Sequence, residues 1–426
     1  MPLEDTGSLA DRVVRRVCSG AGENQIARLY PSMEARAVSW NRSAPKIAHV
    51  ITNAWDGGIE KVVFHLCSGL SPHEFQVSVH ALLDHNPGRG DFERAGIPFF
   101  SYGAENRADR HYVLKNLRAV VMLARALHRD RIDIVHVHDF FPGVLGRVAA
   151  RMAAVAGCVA TLHNTYDWLG RRAGLVNRVL SRRTQAVVGV SSACVQDSMA
   201  RDRLPSEKYR VVYNGVDPDV FQPDRAIREA ARNMLGFGPD EFVIGNIGTL
   251  SVRKGQSTLL RAFDLLTQKH PNLRLVIVGS RREHEGAVAE ELRAIAAADT
   301  LSGRIRFLEG RDDVRDLLNA FDAFAMPSRQ EGFGLAFVEA LMCGVPCVVS
   351  DIPAFREVAG ADCLALFHPV DDVQWLASQL NALITDSNLR TELSKAGRTA
   401  AVQRFSDQAM LEGWKRIYRD VLARQR

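Results

Sequence analysis

Nowhere in the 426 residues is there an apolar run long enough to cross a bilayer. The opening residues, MPLEDTGSLADRVVRR, place acids ahead of the basic residues and have no apolar core, so a secretory signal is not read either. Cysteine is sparse and odd in number, seven in all, with no double C-x2-C pattern. That argues against a disulfide framework or a zinc module and fits reduced thiols in a cytoplasmic compartment. Cys343 and Cys347 are read as small core residues. Aromatics make up 7% of the chain and are not interleaved with the basic residues, and no helix-turn-helix pattern occurs, so nucleic acid is not expected as a partner.

What remains is an ordinary globular composition, 46% hydrophobic and 24% charged, in a chain longer than one core usually serves. Two domains are therefore expected. Residues 1–45 lack a sustained period and are read as an N-terminal extension, partly disordered. From Lys46 onward, strand-length apolar runs alternate with helical patterns: KIAHVIT, QVSVHALL, IDIVHVH, CVATLH, AVVGVS and YRVVYN. A second series follows: FVIGNIG, LRLVIVG, RIRFLEG, AFAMPS, PCVVS and CLALF. Near-continuous apolar strands separated by helices imply parallel sheets covered on both faces, and two series imply two doubly wound α/β domains. The apolar rhythm lapses at NGVDPDVFQPDRAIREA, which sets the boundary near Asp217–Asp224. The expected divisions are 46–220, 221–405 and a terminal helix over 406–426. Ligands of open α/β sheets sit beyond the carboxyl ends of the strands, so two facing domains would share one cleft.

The net charge of +5 is carried by the first half, most densely in LGRRAGLVNRVLSRRTQ, with Arg171, Arg172, Arg178, Arg182 and Arg183. Such a segment suits an anionic membrane surface or a phosphorylated acceptor, or it is a solvated helix face.

The chemistry-bearing stretches all lie at strand ends. PSRQEGFGLAFVEALMCGVPCVVSD carries Glu331 on a turn and Glu339 about one turn into the helix that follows. The amides of Phe333, Gly334 and Leu335, at a helix N-terminus, are candidates for a phosphate, and the two carboxylates can accept hydrogen bonds from sugar hydroxyls. The bland alternative is a helix-start acid and a surface residue. NIGTLSVRKGQS offers close backbone approach at Gly248 and cations at Arg253 and Lys254, and it is neither a P-loop nor a G-x-G-x-x-G turn. AWDGGIEKVVFHL places Gly57 and Gly58 between a strand and a helix, either for ligand approach or for a tight turn. Of the strand-end histidines, His163 is assigned to ligand, whereas His136 and His138 are read as structural. Zinc is not expected, since no acidic or cysteine partner stands at ligand spacing. The D-x-D at Asp217–Asp219 is read as turn chemistry, so no metal is proposed.

Taken together, these stretches resemble the retaining GT-B glycosyltransferases of glycosyltransferase family 4, over residues 46 to about 424. The E-x7-E pattern is the strongest part, supported by GGIE, DIVHVHD, TLHN, VVYNGVD and RKG. The resemblance implies an acceptor-binding N-terminal domain, a nucleotide-sugar-binding C-terminal domain and a last helix, FSDQAMLEGWKRIYRDVLARQR, that crosses back. It further implies that Glu331 binds the donor sugar, Glu339 the ribose and Lys254 the diphosphate, with His163 near the reacting carbon and Gly57 and Gly58 on the phosphate and acceptor side. Thr249 stands where many relatives have Arg, with Arg253 as a possible substitute. The implied reaction moves a sugar from a nucleotide diphospho-sugar, UDP favoured, to a hydroxyl of a lipid-linked or cell-surface glycan precursor. No cofactor is implied, because the nucleotide sugar is a co-substrate. Transfer to a soluble small molecule and sugar-nucleotide 2-epimerisation on the same fold are the alternatives.

Overall fold

The computed structural model describes residues 43–424 apart from 55–56, 71–72, 107–110, 167–168, 280–285, 310, 312 and 362–363. Most of the N-terminal extension thus lies outside the described residues.

Two fully parallel sheets carry the fold. The first has seven strands: β1 Lys46–Ile51, β2 Gln76–Ala81, β3 Phe99–Ser101, β4 Ile134–His138, β5 Gly157–Leu162, β6 Ala186–Gly189 and β7 Tyr209–Val211. Their order is β3-β2-β1-β4-β5-β6-β7. The second has six: β8 Phe242–Ile247, β9 Leu273–Val278, β10 Ile305–Leu308, β11 Ala323–Met326, β12 Cys347–Ser350 and β13 Leu366–His368, in the order β10-β9-β8-β11-β12-β13. Helices fill the crossovers, which is what parallel neighbours require. The central strands β4, β5, β11 and β12 are buried at every residue, in keeping with sheets covered on both faces.

Each order reverses once, at β1/β4 in the first sheet and at β8/β11 in the second. Crevices open at such reversals. The loops after β1, β4 and β5 face those after β8, β9 and β11 across a shared cleft. Two sequence readings shift. β3 was not anticipated, because it is three residues long with Phe100 exposed, and the strand expected at CLALF is paired instead over Leu366–His368.

Several contacts tie the halves together. The last helix, Asp407–Ala423, lies on the first sheet: Trp414 and Tyr418 share a core with Ile47, Val63 and Val159, and Lys415 and Arg419 pair with Glu74 at 3.2 and 2.5 Å. Near the cleft, Glu357 of the second domain accepts from the Ser192 amide at 2.7 Å, the Ala193 amide at 3.3 Å and the Tyr213 hydroxyl at 2.9 Å. It therefore caps the N-terminus of the first-domain helix Ser192–Asp202, where a negative charge is favoured. Tyr213 in turn stacks on Phe333, with ring centres 5.9 Å apart.

Glu357→Ala leaves those donors without their shared acceptor, at a cost of about 1–3 kcal/mol to the junction. Differential scanning calorimetry is expected to show a lower first transition that separates from the second. Superimposable traces for variant and wild type would contradict this role for Glu357.

Candidate active site

The turn after β11 is built around glycines that have no room for a side chain. A Cβ on Gly332 would lie 1.9 Å from the His163 carbonyl oxygen, and the Gly332 carbonyl accepts from Ser191 Oγ at 2.5 Å. Gly334 has φ +95° and a Cβ there would meet Phe355 at 2.5 Å, so only glycine suits this start of the helix Leu335–Met342. The free amides of that first turn are the ones a helix cannot satisfy internally.

Glu331 is 9% exposed. Its carboxylate accepts from Lys254 Nζ at 2.6 Å and Ser328 Oγ at 2.8 Å. Burial would raise this carboxyl, but the charges of Lys254 and then Arg253, with the two hydrogen bonds, hold it below its usual value. Glu339 is the opposite case: half-buried, raised by burial and only partly offset by Lys61. One carboxylate is thus held ionised and the other is pushed toward neutrality, on either side of a single helix start.

Lys254 arrives from the loop after β8. Gly255, at φ +66°, turns the chain into the helix Gln256–Thr267, where a Cβ would sit 2.0 Å from the Pro327 carbonyl. Gly248 passes close to Gly279, whose Cβ would meet the Gly248 carbonyl at 2.1 Å. Arg253 reaches across the cleft to Asn164 Oδ1 at 3.2 Å. On the first-domain side Gly58 begins the helix Gly58–Gly69, and a Cβ there would touch nothing within 4 Å. Packing therefore does not demand glycine at Gly58, which borders open space.

All these surfaces line one cavity of about 350 Å³, within the range of small-molecule sites. Every candidate from the sequence borders it: Glu331, Glu339, His163, Lys254, Arg253, Gly248, Gly57, Gly58 and the Phe333–Leu335 segment. The Phe333 side chain itself packs between the domains, leaving its backbone to the cavity. Sequence reasoning missed Asp139, Lys61, Asn164, Asn214 and Arg311, which also line it. Asp139 had a usable signal, since it directly follows the HVH strand. It has φ +70° and ψ −175°, a region nearly reserved for glycine and costing about 1–3 kcal/mol, and its carboxylate accepts from the Tyr166 hydroxyl.

His163 is 6% exposed and pushed down to about 4 by burial, with Asp139 acting in the opposite sense. His49, His136 and His138 form a buried trio whose ring nitrogens approach within 4.8 Å of one another. His136 is occupied by Tyr418 Oη at 2.8 Å and Thr161 Oγ1 at 2.5 Å. His138 is occupied by His49 and His163 at 3.1 and 3.2 Å. A metal would have to displace these bonds. Asp217 behaves as turn chemistry: its Oδ1 accepts from the Asp219 amide at 2.9 Å.

Comparison with known proteins identifies the family. Residues 56–220 match the family described as Glycosyltransferase Family 4, and residues 227–400 match Glycosyl transferases group 1. The chain is 27% identical over 329 residues to the UDP-Gal:alpha-D-GlcNAc-diphosphoundecaprenol alpha-1,3-galactosyltransferase of Escherichia coli, covering 73% of this chain and 81% of that one. It is 28% identical to the D-inositol 3-phosphate glycosyltransferase of Acidothermus cellulolyticus, covering 72% of each. Among solved structures, Anabaena Alr3699/HepE in complex with UDP and glucose superposes with a TM-score of 0.79 at 22% identity, over 88% of this chain and all of that one.

The Lys254–Glu331 pair gives a pH-dependent prediction. A folded-state pKa depressed below the reference of 4.5 contributes stability that is present above that value and lost as pH falls through the folded pKa. Lys254→Met removes the main source of that depression and strands a buried carboxylate, at roughly 3 kcal/mol. Urea unfolding is expected to show this deficit at pH 7 and a smaller one in acid, where Glu331 is protonated in both proteins. A pH-independent deficit would contradict the assignment.

Proposed function

Because this chain belongs to glycosyltransferase family 4 and folds as a GT-B enzyme, we propose that it moves a sugar from a UDP-sugar to a hydroxyl of a lipid-linked or cell-surface glycan precursor, with retention and without a metal. The observation that carries this reading is the pair Glu331 and Glu339 about one helix N-terminus, with Lys254 bonded to Glu331 and Arg253 lining the same cavity. A diphosphate at this helix start meets amides and cations, and the carboxylates can grip the sugar and ribose hydroxyls. A glycosidase would instead set its two carboxyl groups on opposite sides of the scissile bond.

In the proposed reaction the bond from the anomeric carbon to the diphosphate oxygen breaks as the acceptor oxygen bonds to that carbon from the same face. The acceptor proton passes to the departing phosphate oxygen, giving the glycoside and UDP. Positive charge at Lys254, Arg253 and the helix start stabilises the leaving group in place of a metal ion. Closing the domains on the donor keeps water out and suppresses hydrolysis. UDP is favoured because the Escherichia coli relative is named for UDP-Gal and HepE was solved with UDP.

The acceptor reading draws on the same relative and on a surface helix. Arg171–Ser181 has no acidic residue, exposes Leu175, Val176 and Val179, and is flanked by exposed Arg171, Arg172, Arg182 and Arg183. Among the described residues no helix is long and apolar enough to cross a membrane. Peripheral contact with an anionic cytoplasmic leaflet therefore suits this helix.

Thermal denaturation with UDP, GDP, ADP and TDP and their sugars, in chelator, tests the donor. UDP and one of its sugars are expected to stabilise the chain, by about 2.7 kcal/mol at 100-fold excess over Kd. The absence of a shift with all of them would refute the reading. Glu331→Ala is expected to fold and to lower transfer by at least about 100-fold. For the surface helix, reversing Arg171, Arg172, Arg182 and Arg183 to Glu should cut co-sedimentation with phosphatidylglycerol vesicles at least about tenfold; undiminished binding would discard the membrane contact.

A further inference from the structure

Three buried histidines run in single file from the first domain's core to the cleft. His49 Nδ1 lies 3.1 Å from His138 Nε2, and His138 Nδ1 lies 3.2 Å from His163 Nε2. At the inner end His49 Nε2 is buried with no partner. At the outer end His163 borders the cavity with its Nε2 already engaged, so Nδ1 is the ring nitrogen left for a ligand. His49 and His138 are on neighbouring strands, β1 and β4, and His163 follows β5. Two of the three rings are thus built into the sheet, and the third sits directly at a strand end.

Burial keeps these rings neutral: His49 is pushed down to about 3 and His163 to about 4, and His138 is also lowered. A neutral imidazole has one N–H and one bare nitrogen, and the bond made by one nitrogen sets the state of the other. Three neutral rings joined by two bonds thus have two self-consistent arrangements. In one, every N–H points inward, His163 shows a lone pair to the cleft and His49 buries an orphan N–H. In the other, every N–H points outward, His163 shows an Nδ1–H to the cleft and His49 keeps only a bare nitrogen inside.

Two observations select the outward arrangement. A buried N–H without an acceptor is among the rarest defects in folded proteins, and that arrangement avoids it. The Asp139 carboxylate beside His163 also favours the positive end of the file at the cleft.

We propose that His49 and His138 are positioning residues that lock His163 in the Nδ1–H tautomer, so that the cleft presents a fixed donor to an oxygen of the bound sugar nucleotide. A lone pair in that position would repel a phosphate oxygen, whereas an N–H attracts it, most strongly as negative charge develops on the leaving group. This inference rests on the sugar-nucleotide reading of the cavity for its purpose, but the tautomer itself does not.

Labelling the intact chain with 15N-histidine and recording long-range 1H–15N correlations reads which nitrogen of each ring holds the proton, with His163→Asn assigning the His163 signals. The expected result is Nδ1–H at His163 in the wild type and a shift of population to Nε2–H in His49→Asp, whose carboxylate oxygen, standing where Nδ1 stood, accepts from His138 Nε2 and reverses the file. His49→Asn, whose amide nitrogen can stand where Nδ1 stood, should keep the wild-type pattern. Turnover should fall about 10–100-fold in the Asp variant, with little change in the donor KM, and be retained in the Asn variant. Nε2–H at His163 in the wild type, or a tautomer unmoved by His49→Asp, overturns the proposal. If the Asp variant does not fold, the wild-type spectrum decides alone. The spectra need no donor, so failure to transfer from any UDP-sugar would count against the functional reading and leave the tautomer result standing.

Discussion

The contact on which the cleft depends is the one at Gly332, where a turn of the second domain meets the end of β5 in the first so closely that a methyl group would overlap the His163 carbonyl at 1.9 Å. Around that point Ser191 donates to the Gly332 carbonyl and Gln330 to Thr165, each at 2.5 Å, while Glu357 collects first-domain donors on the far side. Glu331 comes immediately before this glycine and His163 faces it. Glu331 and His163, which both border the cavity, are therefore brought together by one backbone approach.

Electrostatics follow from the same arrangement. A buried carboxylate at Glu331 is tolerated only because Lys254 and Arg253 stand beside it, and the same cations are what a diphosphate needs. Binding a donor would give Lys254 a second anionic neighbour in place of bulk water. Asp139 adds a strained backbone at the adjoining strand end. The buried Lys254–Glu331 pair and the strained Asp139 backbone thus both border the cleft.

Much of this was legible in the sequence. Alternating strand and helix periods identify two doubly wound domains, because buried parallel strands have to be nearly continuous apolar runs. The E-x7-E spacing identifies the helix start that holds Glu331 and Glu339, since that geometry is local. Legibility fails where partners are distant in sequence. Glu357 bonds to Ser192 and Ala193 about 165 positions away, and His49 bonds to His138 at a separation of 89. No period or motif marks such pairs. Asp139 was overlooked although it directly follows the HVH strand, and its unusual φ, which belongs to the backbone, leaves no sign in the residue type. β3 escaped because three residues are too few to establish a period.

The most direct test of a catalytic cleft shared by both domains is to compare transfer and UDP binding in Gly332→Ala. The added methyl cannot coexist with the observed approach to His163, while the glutamates, Lys254 and the helix start all belong to the second domain and are left in place. Nearly unchanged UDP affinity by calorimetry, with sugar transfer lowered by at least about 100-fold, is the predicted result. Transfer at the wild-type rate would contradict the account, because the close junction at Gly332 would then have no part in the reaction.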